Sequence, residues 1–392
     1  MTDKTNFPTT VFVSGASGFI AQELIKQLII KGYNVIGSVR STTKGESIKS
    51  NLTSSSTTQS LNSDLFNYTI IKDISSPGAF DNVLKQYPEI EIFLHTASPF
   101  HFKAGNIEQE LLIPAINGTK NALLAIKQFG HKIKHVVITS SVVAVGKFGK
   151  FPRTSTGSTS LSSSVVVVAD ENSWNPITWE MSLKNPFYGY FGSKTFAEKE
   201  VWKFLQIENP KFNITTINPG MVLGPQAFPI NNHNGIGGGA GGGGGTNNLE
   251  LNTSSQEIVR LLNLSTVDDV NKVKISTKVE NTFIDVRDVA KAHIIAFEKP
   301  QQTKNKRLLL IEDIYNEQTL LNIINNNFPQ LNLPKGEPIT GQIDESKLNN
   351  TWNTTQTKTI FGDKYIGIEK SVIDSVNQIL EAKNEGNPQC KL

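Results

Sequence analysis

Two side chains that would share one face of a helix give the first indication of chemistry in this sequence. Tyr190 and Lys194 are four residues apart in a segment with helical patterning, so a helix would place them one turn from each other. An ammonium group beside a phenol favours the phenolate and lowers the phenol pKa, which would make Tyr190 a proton donor near neutral pH. Ser141 follows an apolar run and could hydrogen-bond the same substrate oxygen. A tyrosine and a lysine at this spacing also occur by chance in many proteins.

A glycine-containing turn near the N-terminus could bind a phosphate group. The pattern Gly-x-x-Gly-x-x-Ala at residues 15–21 lies between a short apolar run, Thr10 to Val13, and an amphipathic segment, Phe19 to Lys31. A turn between a strand and a helix lets a pyrophosphate approach the backbone, with the helix N-terminus directed at it. An ordinary tight turn is the alternative. The dinucleotide-binding residues predicted here are Gly15, Ser17, Gly18, Phe19 and Ile20.

The end of the second predicted strand indicates which dinucleotide would bind. An enzyme that uses NAD places an acidic residue about 20 residues after the glycines, on the ribose hydroxyl. This sequence instead has Arg40, followed by Lys44, and these cations suit the 2′-phosphate of NADP. Solvated surface cations are the alternative reading. Asp73 and Ile74 close the third strand, where the carboxylate could accept from the adenine amino group or could cap the following helix.

The elements around these residues alternate between strand and helix. Short β-rich runs separated by helical segments predict a parallel sheet covered on both faces, so we expect an α/β, doubly wound Rossmann fold. After residue 218 the pattern becomes mixed, which predicts a smaller C-terminal α/β lobe that binds the substrate. The predicted division is a dinucleotide-binding domain at 1–218 with a returning segment near 282–300, and a substrate lobe at 219–281 and 301–392. Low-complexity surface insertions are predicted at 51–63, 153–164 and 235–245.

Composition narrows the possible partners and location. The chain has 392 residues, with 38 Lys and Arg against 35 Asp and Glu, and a net charge of +3 is too small to attract nucleic acid or an acidic membrane. A single cysteine forms neither an intrachain disulfide nor a thiolate metal cage, which favours a reducing compartment. No secretory or long apolar segment is visible. We expect a cytoplasmic monomer or homodimer without a metal.

Longer strings that include these motifs resemble the extended short-chain dehydrogenase/reductases, in their dihydroflavonol-4-reductase-like branch. The strings occupy residues 11–22, 95–100, 111–118, 174–179, 192–199 and 284–293. The resemblance runs from Thr10 to about Leu380, interrupted by the low-complexity segments. It implies an NADPH-dependent carbonyl reductase that transfers hydride to small-molecule aldehydes or ketones and gives alcohols. Methylglyoxal, isovaleraldehyde, diketones and keto esters represent the substrate class.

The family also implies roles for individual residues. Ser141, Tyr190 and Lys194 would form the catalytic triad, with Tyr190 protonating the carbonyl oxygen and Lys194 also holding the nicotinamide ribose. Further residues along the cofactor would be Ala97, Ser98, Pro219, Gly220 and Val222. Those facing the substrate would be Phe100, Val142 and Met221. Asn117 either organises water or lies in an ordinary helix interior. Residues expected to pack the lobe rather than to catalyse are Asp285, Arg287, Asp288 and His293.

Two other functions fit the same fold. A nucleotide-sugar epimerase or dehydratase would hold NAD through an acidic residue after the second strand, and Arg40 argues against that. A catalytically silent dinucleotide-binding sensor would usually lack the tyrosine or the lysine, and both are present. The insertions at 153–164 and 235–245 lie where the family places the substrate entrance, so a lid is an open alternative to passive surface loops.

Overall fold

The computed structural model describes residues 8–53, 61–98, 104–146, 168–230, 251–264, 275, 281–342, 348, 351–362 and 364–385. The strands are β1 Thr10–Ser14, β2 Asn34–Val39, β3 Phe66–Ile70, β4 Ile90–His95, β5 His135–Thr139, β6 Asn213–Pro219, β7 Met221–Leu223, β8 Asn281–Asp285, β9 Lys306–Leu310 and β10 Asp313–Tyr315. The α-helices are α1 Phe19–Ile30, α2 Thr42–Thr53, α3 Asp81–Gln86, α4 Ile113–Phe129, α5 Trp179–Ser182, α6 Pro186–Glu208, α7 Thr253–Leu262, α8 Val286–Glu298, α9 Pro300–Thr303, α10 Glu317–Asn327, α11 Thr355–Phe361 and α12 Ile368–Glu385.

Seven strands form one parallel sheet in the order β3-β2-β1-β4-β5-β6-β9. The strand order reverses between β1 and β4, and ligands of such sheets bind in the crevice at that reversal, outside the carboxyl ends of the strands. A second sheet has the order β10-β8-β7, with β8 parallel to β7 and antiparallel to β10. The prediction of a doubly wound Rossmann fold is therefore confirmed.

Both faces of the large sheet are buried, because alternate residues of each strand point to opposite sides. Val11 and Val13 of β1 belong to one apolar cluster, which also contains residues of α1 and α8. Phe12, between them, belongs to a second cluster, with Phe93 of β4 and residues of α4 and α6. This double burial explains why the central strands β1, β4 and β5 are mostly apolar along their length.

The smaller sheet has its own apolar core. It packs with α7, α10 and α12, and we call this assembly the small lobe. Its buried side chains include Leu223 and Phe283 from the sheet and Ile258, Leu320 and Val376 from the three helices. Within the described part of the chain, no helix is long and apolar enough to cross a lipid bilayer.

Two expected boundaries differ from the structure. The segment 51–63 was predicted to be a surface insertion, yet Asn51 and Leu52 are buried in the last turn of α2. Ile48, Asn51 and Leu52 lie on the same face of α2 and point inward. The high serine and threonine content of the segment gave no indication of this. The strand β9 was predicted to lie in the substrate lobe, but it pairs with β6 as the edge of the large sheet. The segments 153–164 and 235–245 lie outside the described residues, and the remaining domain division stays a prediction.

Candidate active site

The turn after β1 requires glycine at its first position. Gly15 has φ +67°, and a Cβ added to it would lie 3.0 Å from both Cα and Cβ of Ala97. Any larger residue would therefore be strained and would collide with the segment after β4. The two segments are also joined by polar contacts, because the Ala97 amide donates to Ser14 Oγ at 3.0 Å and Ser14 Oγ lies 3.0 Å from His95 Nδ1.

The N-terminus of α1 is suited to bind an anion. Gly18 caps the helix with φ −76° and ψ 159° and contributes no side chain to the cap. The amides of the first helical turn have no intrahelical partner, and the helix dipole adds positive potential there. The close approach that Gly15 permits and the uncapped helix end fit a dinucleotide pyrophosphate. The structure places the predicted residues Ser17, Phe19 and Ile20 at this same end.

Arg40 follows β2 directly and is exposed. The strand end that carries it lies beside the glycine turn, since the Gly15 amide donates to Ser38 Oγ at 3.1 Å. Lys44 is in the first turn of α2 and is half-buried. The position after β2 thus carries a cation in place of an acidic residue, and the binding of a 2′-phosphate by Arg40 stays a prediction.

Asp73 is placed in a turn rather than at a helix start. Its two carboxylate oxygens accept from the amide and hydroxyl of Ser75 and from the hydroxyl of Ser76, at 2.7–2.8 Å. Partial burial raises the pKa of Asp73, but these hydrogen bonds and the nearby charge of Arg40 outweigh it, so the pKa lies below its ordinary value. The cap of α3 is Phe80, so Asp73 does not cap the following helix. Its contact with adenine stays a prediction.

The three residues predicted to catalyse come together from two elements. Ser141 follows β5 and caps a short 3-10 helix, with its Oγ accepting from the Val143 amide at 3.3 Å. Tyr190 and Lys194 lie on α6, which begins at Pro186 because Asn185 caps it. Tyr190 and Ser141 are hydrogen-bonded to each other. The prediction that one helix carries Tyr190 and Lys194 four residues apart is therefore confirmed, and the catalytic roles of the three residues stay predictions.

The electrostatics of this group differ in one respect from expectation. The sequence predicted a lowered pKa for Tyr190, and this is wrong for the chain alone: burial raises the pKa of its phenol, and the hydrogen bond with Ser141 offsets only part of that rise. Burial lowers the pKa of Lys194 to about 8, although the charge of Glu198 raises it. Burial and the neighbouring charge of Lys194 also lower the pKa of His95 to about 4, so this imidazole is neutral.

The other residues predicted to line the cofactor or the substrate differ in position and in exposure. Ala97 and Ser98 lie just after β4, separated from it by Thr96. At the junction of β6 and β7, a Cβ added to Gly220 would lie 2.8 Å from Thr282 Oγ1, so Gly220 and the following Val222 are held against β8. Pro219 instead pairs with Leu310 of β9. Met221 is 39% exposed, whereas Val142 is only 3% exposed and packs in an apolar cluster. Phe100 lies outside the described residues. The roles of all these residues stay predictions.

Two features of the site escaped the sequence analysis. Asn175 secures the loop after Ser141, because its Nδ2 donates to the carbonyls of Val143 at 2.7 Å and Gly146 at 3.1 Å. The other is a buried ion pair between Glu198 and Arg307 behind the triad. The position of Glu198, four residues after Lys194 and eight after Tyr190, was a usable signal, but nothing in the sequence indicated Arg307 as its partner.

Known proteins place the chain in a family. A profile of the NAD dependent epimerase/dehydratase family matches residues 11–236. The Candida albicans protein GRP2 is 49% identical over 382 residues, covering 95% of this chain and 98% of GRP2. The structure of Candida albicans Gre2 with NADPH has a TM-score of 0.78 at 40% identity, covering 96% of this chain and 99% of the other. Yeast methylglyoxal/isovaleraldehyde reductase Gre2 with NADPH has a TM-score of 0.77 at 36% identity, covering 96% and 99%. The resemblance to the extended short-chain dehydrogenase/reductases is thus confirmed, and the chain belongs to the NAD dependent epimerase/dehydratase family.

Proposed function

We propose that this chain is an NADPH-dependent carbonyl reductase, which converts small-molecule aldehydes and ketones to alcohols. The observation that carries the proposal is the convergence of Ser141, Tyr190 and Lys194 at the carboxyl ends of the parallel strands, beside the glycine turn. Arg40 supports the choice of NADPH, since its guanidinium can bind a 2′-phosphate and an acidic residue is missing there. The same feature disfavours an epimerase or dehydratase, which would hold NAD through that acid.

Each catalytic side chain has a distinct task. A bound NADPH supplies the hydride for the carbonyl carbon. Tyr190 donates its phenolic proton to the carbonyl oxygen, which gains negative charge as the carbon is reduced. Ser141 hydrogen-bonds the same oxygen and aligns it with Tyr190. Lys194 favours the phenolate left on Tyr190 through its positive charge, and its pKa of about 8 leaves it mainly protonated at neutral pH.

The substrate class follows from the relatives and from the chemistry of the site. Yeast Gre2 is named as a methylglyoxal/isovaleraldehyde reductase and is similar to this chain over nearly its whole length. We propose methylglyoxal, isovaleraldehyde, diketones and keto esters as substrates. We further propose a cytoplasmic monomer or homodimer that does not bind nucleic acid, because the net charge is only +3 and the chain has a single cysteine.

The test is to follow NADPH oxidation with methylglyoxal, isovaleraldehyde, a diketone, a β-keto ester and a dihydroflavonol. We expect turnover with at least the first two, and we expect Tyr190→Phe to lower kcat by at least about 10²-fold while NADPH still binds, since a positioned acid contributes about 10²- to 10⁴-fold. Tyr87→Phe, which removes a hydroxyl at the end of α3, is the matched control and should retain full turnover. More than a tenth of the wild-type kcat in Tyr190→Phe would refute the assignment of the acid.

A further inference from the structure

A buried ion pair lies directly behind the proposed triad. Glu198 is 2% exposed and Arg307 is 7% exposed, and Arg307 Nε donates to Glu198 Oε1 at 2.6 Å. Removing two charges from water is costly, and an apolar pair of similar volume would often be as stable or more stable. The stability of the fold therefore does not explain why charged side chains occupy this position.

Donors from four elements converge on the single carboxylate of Glu198. Besides Arg307, the groups within hydrogen-bond distance are the hydroxyl of Ser140, the Nδ2 of Asn218 at 2.6 Å, the hydroxyl of Thr216 at 3.1 Å and the Nε1 of Trp202 at 3.3 Å. An ionised carboxylate accepts through both oxygens, so it can serve such a set of donors, whereas an amide in its place would offer one oxygen only. Glu198 thus joins α6 to β6, to β9 and to the end of β5.

The groups held by this carboxylate are those that carry the triad. Ser140 precedes Ser141, and the same Asn218 Nδ2 that donates to Glu198 also donates to the Ser141 carbonyl at 3.2 Å. Arg307 continues the arrangement on its other side, because its Nη2 donates to the Ala144 carbonyl at 3.3 Å in the loop after Ser141. On α6, Glu198 is one turn from Lys194, on the face that also presents Tyr190.

We propose that Glu198, held by Arg307, is a positioning residue for carbonyl reduction: it fixes the backbone of Ser141 against α6 and keeps a negative charge one helical turn from Lys194. This inference rests on the proposed function. Glu198 does not touch the substrate in this arrangement. It acts through Ser141, which hydrogen-bonds the carbonyl oxygen, and through Lys194, whose charge favours the phenolate of Tyr190.

The electrostatic part of the proposal predicts the direction in which the pKa of Lys194 changes when Glu198 is replaced. The titratable groups facing Lys194 are Tyr190 and Glu198 on its own helix and His95 at the end of β4, with Arg307 beyond Glu198. A negative neighbour favours the ammonium form, so replacing Glu198 by a neutral residue lowers the pKa of Lys194 from about 8. His95 is neutral at the pH of the assay and does not change this sign.

The first experiment compares Glu198→Gln with wild type over pH 6 to 9. If the pKa of Lys194 falls by about one unit, as the loss of a close opposite charge predicts, kcat should be nearly unchanged at the acidic end and lower by roughly ninefold at the alkaline end. The alkaline limb of the profile moves to lower pH, while the KM for NADPH changes little because the 2′-phosphate contact at Arg40 is remote. Glu200→Gln, which removes the same charge from a half-buried position on α6 where Glu200 pairs with Lys203, should leave the profile in place.

A second measurement uses the chain without cofactor or substrate. Reductive methylation with formaldehyde, read by mass spectrometry as a function of pH, reports the fraction of each lysine that is deprotonated. We expect the labelling midpoint of Lys194 to move to lower pH in Glu198→Gln and to stay unchanged in Glu200→Gln. Lys211, which is exposed and lies outside α6, serves as the internal reference.

A double variant is also needed, because Glu198→Gln leaves the charge of Arg307 without its carboxylate partner and destabilises the fold. Glu198→Gln with Arg307→Met removes both charges and should show the same direction of shift with a smaller amplitude. A loss of kcat by one factor at every pH, with an unmoved Lys194 midpoint, would overturn the proposal and leave the pair a structural element only. Failure of the proposed function itself would appear differently, as absence of NADPH oxidation by the wild-type chain.

Discussion

At the scale of single residues, Arg40 is an exposed side chain to which we assign the preference for the 2′-phosphate of NADPH. It stands immediately after β2, next to the turn in which Gly15 lets a phosphate approach the backbone. A charge-assisted hydrogen bond to a phosphate contributes about 1.5 to 3 kcal/mol, which corresponds to about 10- to 150-fold in affinity. Because the contact lies far from the reacting carbon, it contributes equally to the bound substrate complex and to the transition state, and its loss should raise KM rather than lower kcat.

We therefore expect Arg40→Asp to abolish or invert the preference for NADPH. The substitution removes the donor, sets a like charge against the 2′-phosphate and offers an acceptor to the free ribose hydroxyl of NADH. The measurement is kcat/KM for both cofactors at saturating aldehyde. Lys211→Asp, an exposed cation at the opposite end of the sheet, is the control for net charge. An unchanged ratio in Arg40→Asp would mean that other residues select the cofactor.

At the scale of elements, the segment 284–293 illustrates how a specific motif can serve packing. Asp285 caps α8 by accepting from the Arg287 amide at 2.8 Å, and its two oxygens also accept from the Arg287 guanidinium. The Arg287 Nη1 in turn donates to Asp374 at 2.6 Å, which ties α8 to α12. His293 is buried and lies 2.7 Å from the Thr139 hydroxyl. These contacts support the expectation that the motif packs the lobe.

Asp285→Ala should therefore lower stability and leave the chemistry intact. The variant loses a helix cap and the two hydrogen bonds from the Arg287 guanidinium to Asp285, although Arg287 stays paired with Asp374. Together these losses should cost about 2 to 4 kcal/mol. We expect a lower melting temperature and a kcat within about threefold of wild type, since none of these groups would hold or move the transferred proton. Asp285→Asn retains the capping oxygen, and its melting temperature should lie between those of wild type and Asp285→Ala. A large loss of kcat at an unchanged melting temperature would instead assign Asp285 a part in catalysis.

The elements that sequence predicts are those with strong local signals. The apolar runs of β1 and β4 and the Tyr190–Lys194 spacing on α6 are each readable within a dozen residues. The membership of β9 in the large sheet is not readable in this way, because its pairing of Lys306 with Thr215 joins positions 91 residues apart. The Glu198–Arg307 pair is likewise non-local. In the sequence Glu198 and Arg307 look like ordinary charged residues, and only the fold shows that both are buried.

At the scale of the whole molecule, the chain passes directly between its two sheets at two places. Only Gly220 separates β6 from β7, and only residues 311–312 separate β9 from β10. Hydrogen bonds cross both connections, from the Gly220 amide to the Leu310 carbonyl at 2.9 Å and from the Glu312 amide to the Phe283 carbonyl at 2.8 Å. Loss of the small lobe would therefore expose polar backbone at the edge of the large sheet, and we expect the two to unfold together.

A single variant tests this coupling, because the four tryptophans, residues 174, 179, 202 and 352, all lie outside the small lobe. Leu320→Ala removes a fully buried side chain of α10 and should cost about 2 to 5 kcal/mol. If the molecule unfolds as one unit, the transition followed by tryptophan fluorescence should shift down by the same amount as the transition followed by far-UV circular dichroism.

Ile339→Ala, at a position that is 81% exposed, is the control and should move neither transition. Saturating NADPH should raise both midpoints together, by about 2.7 kcal/mol of added stability at 100 times its Kd. A fluorescence midpoint that stays in place while the dichroism signal splits into two steps would show that the small lobe unfolds by itself.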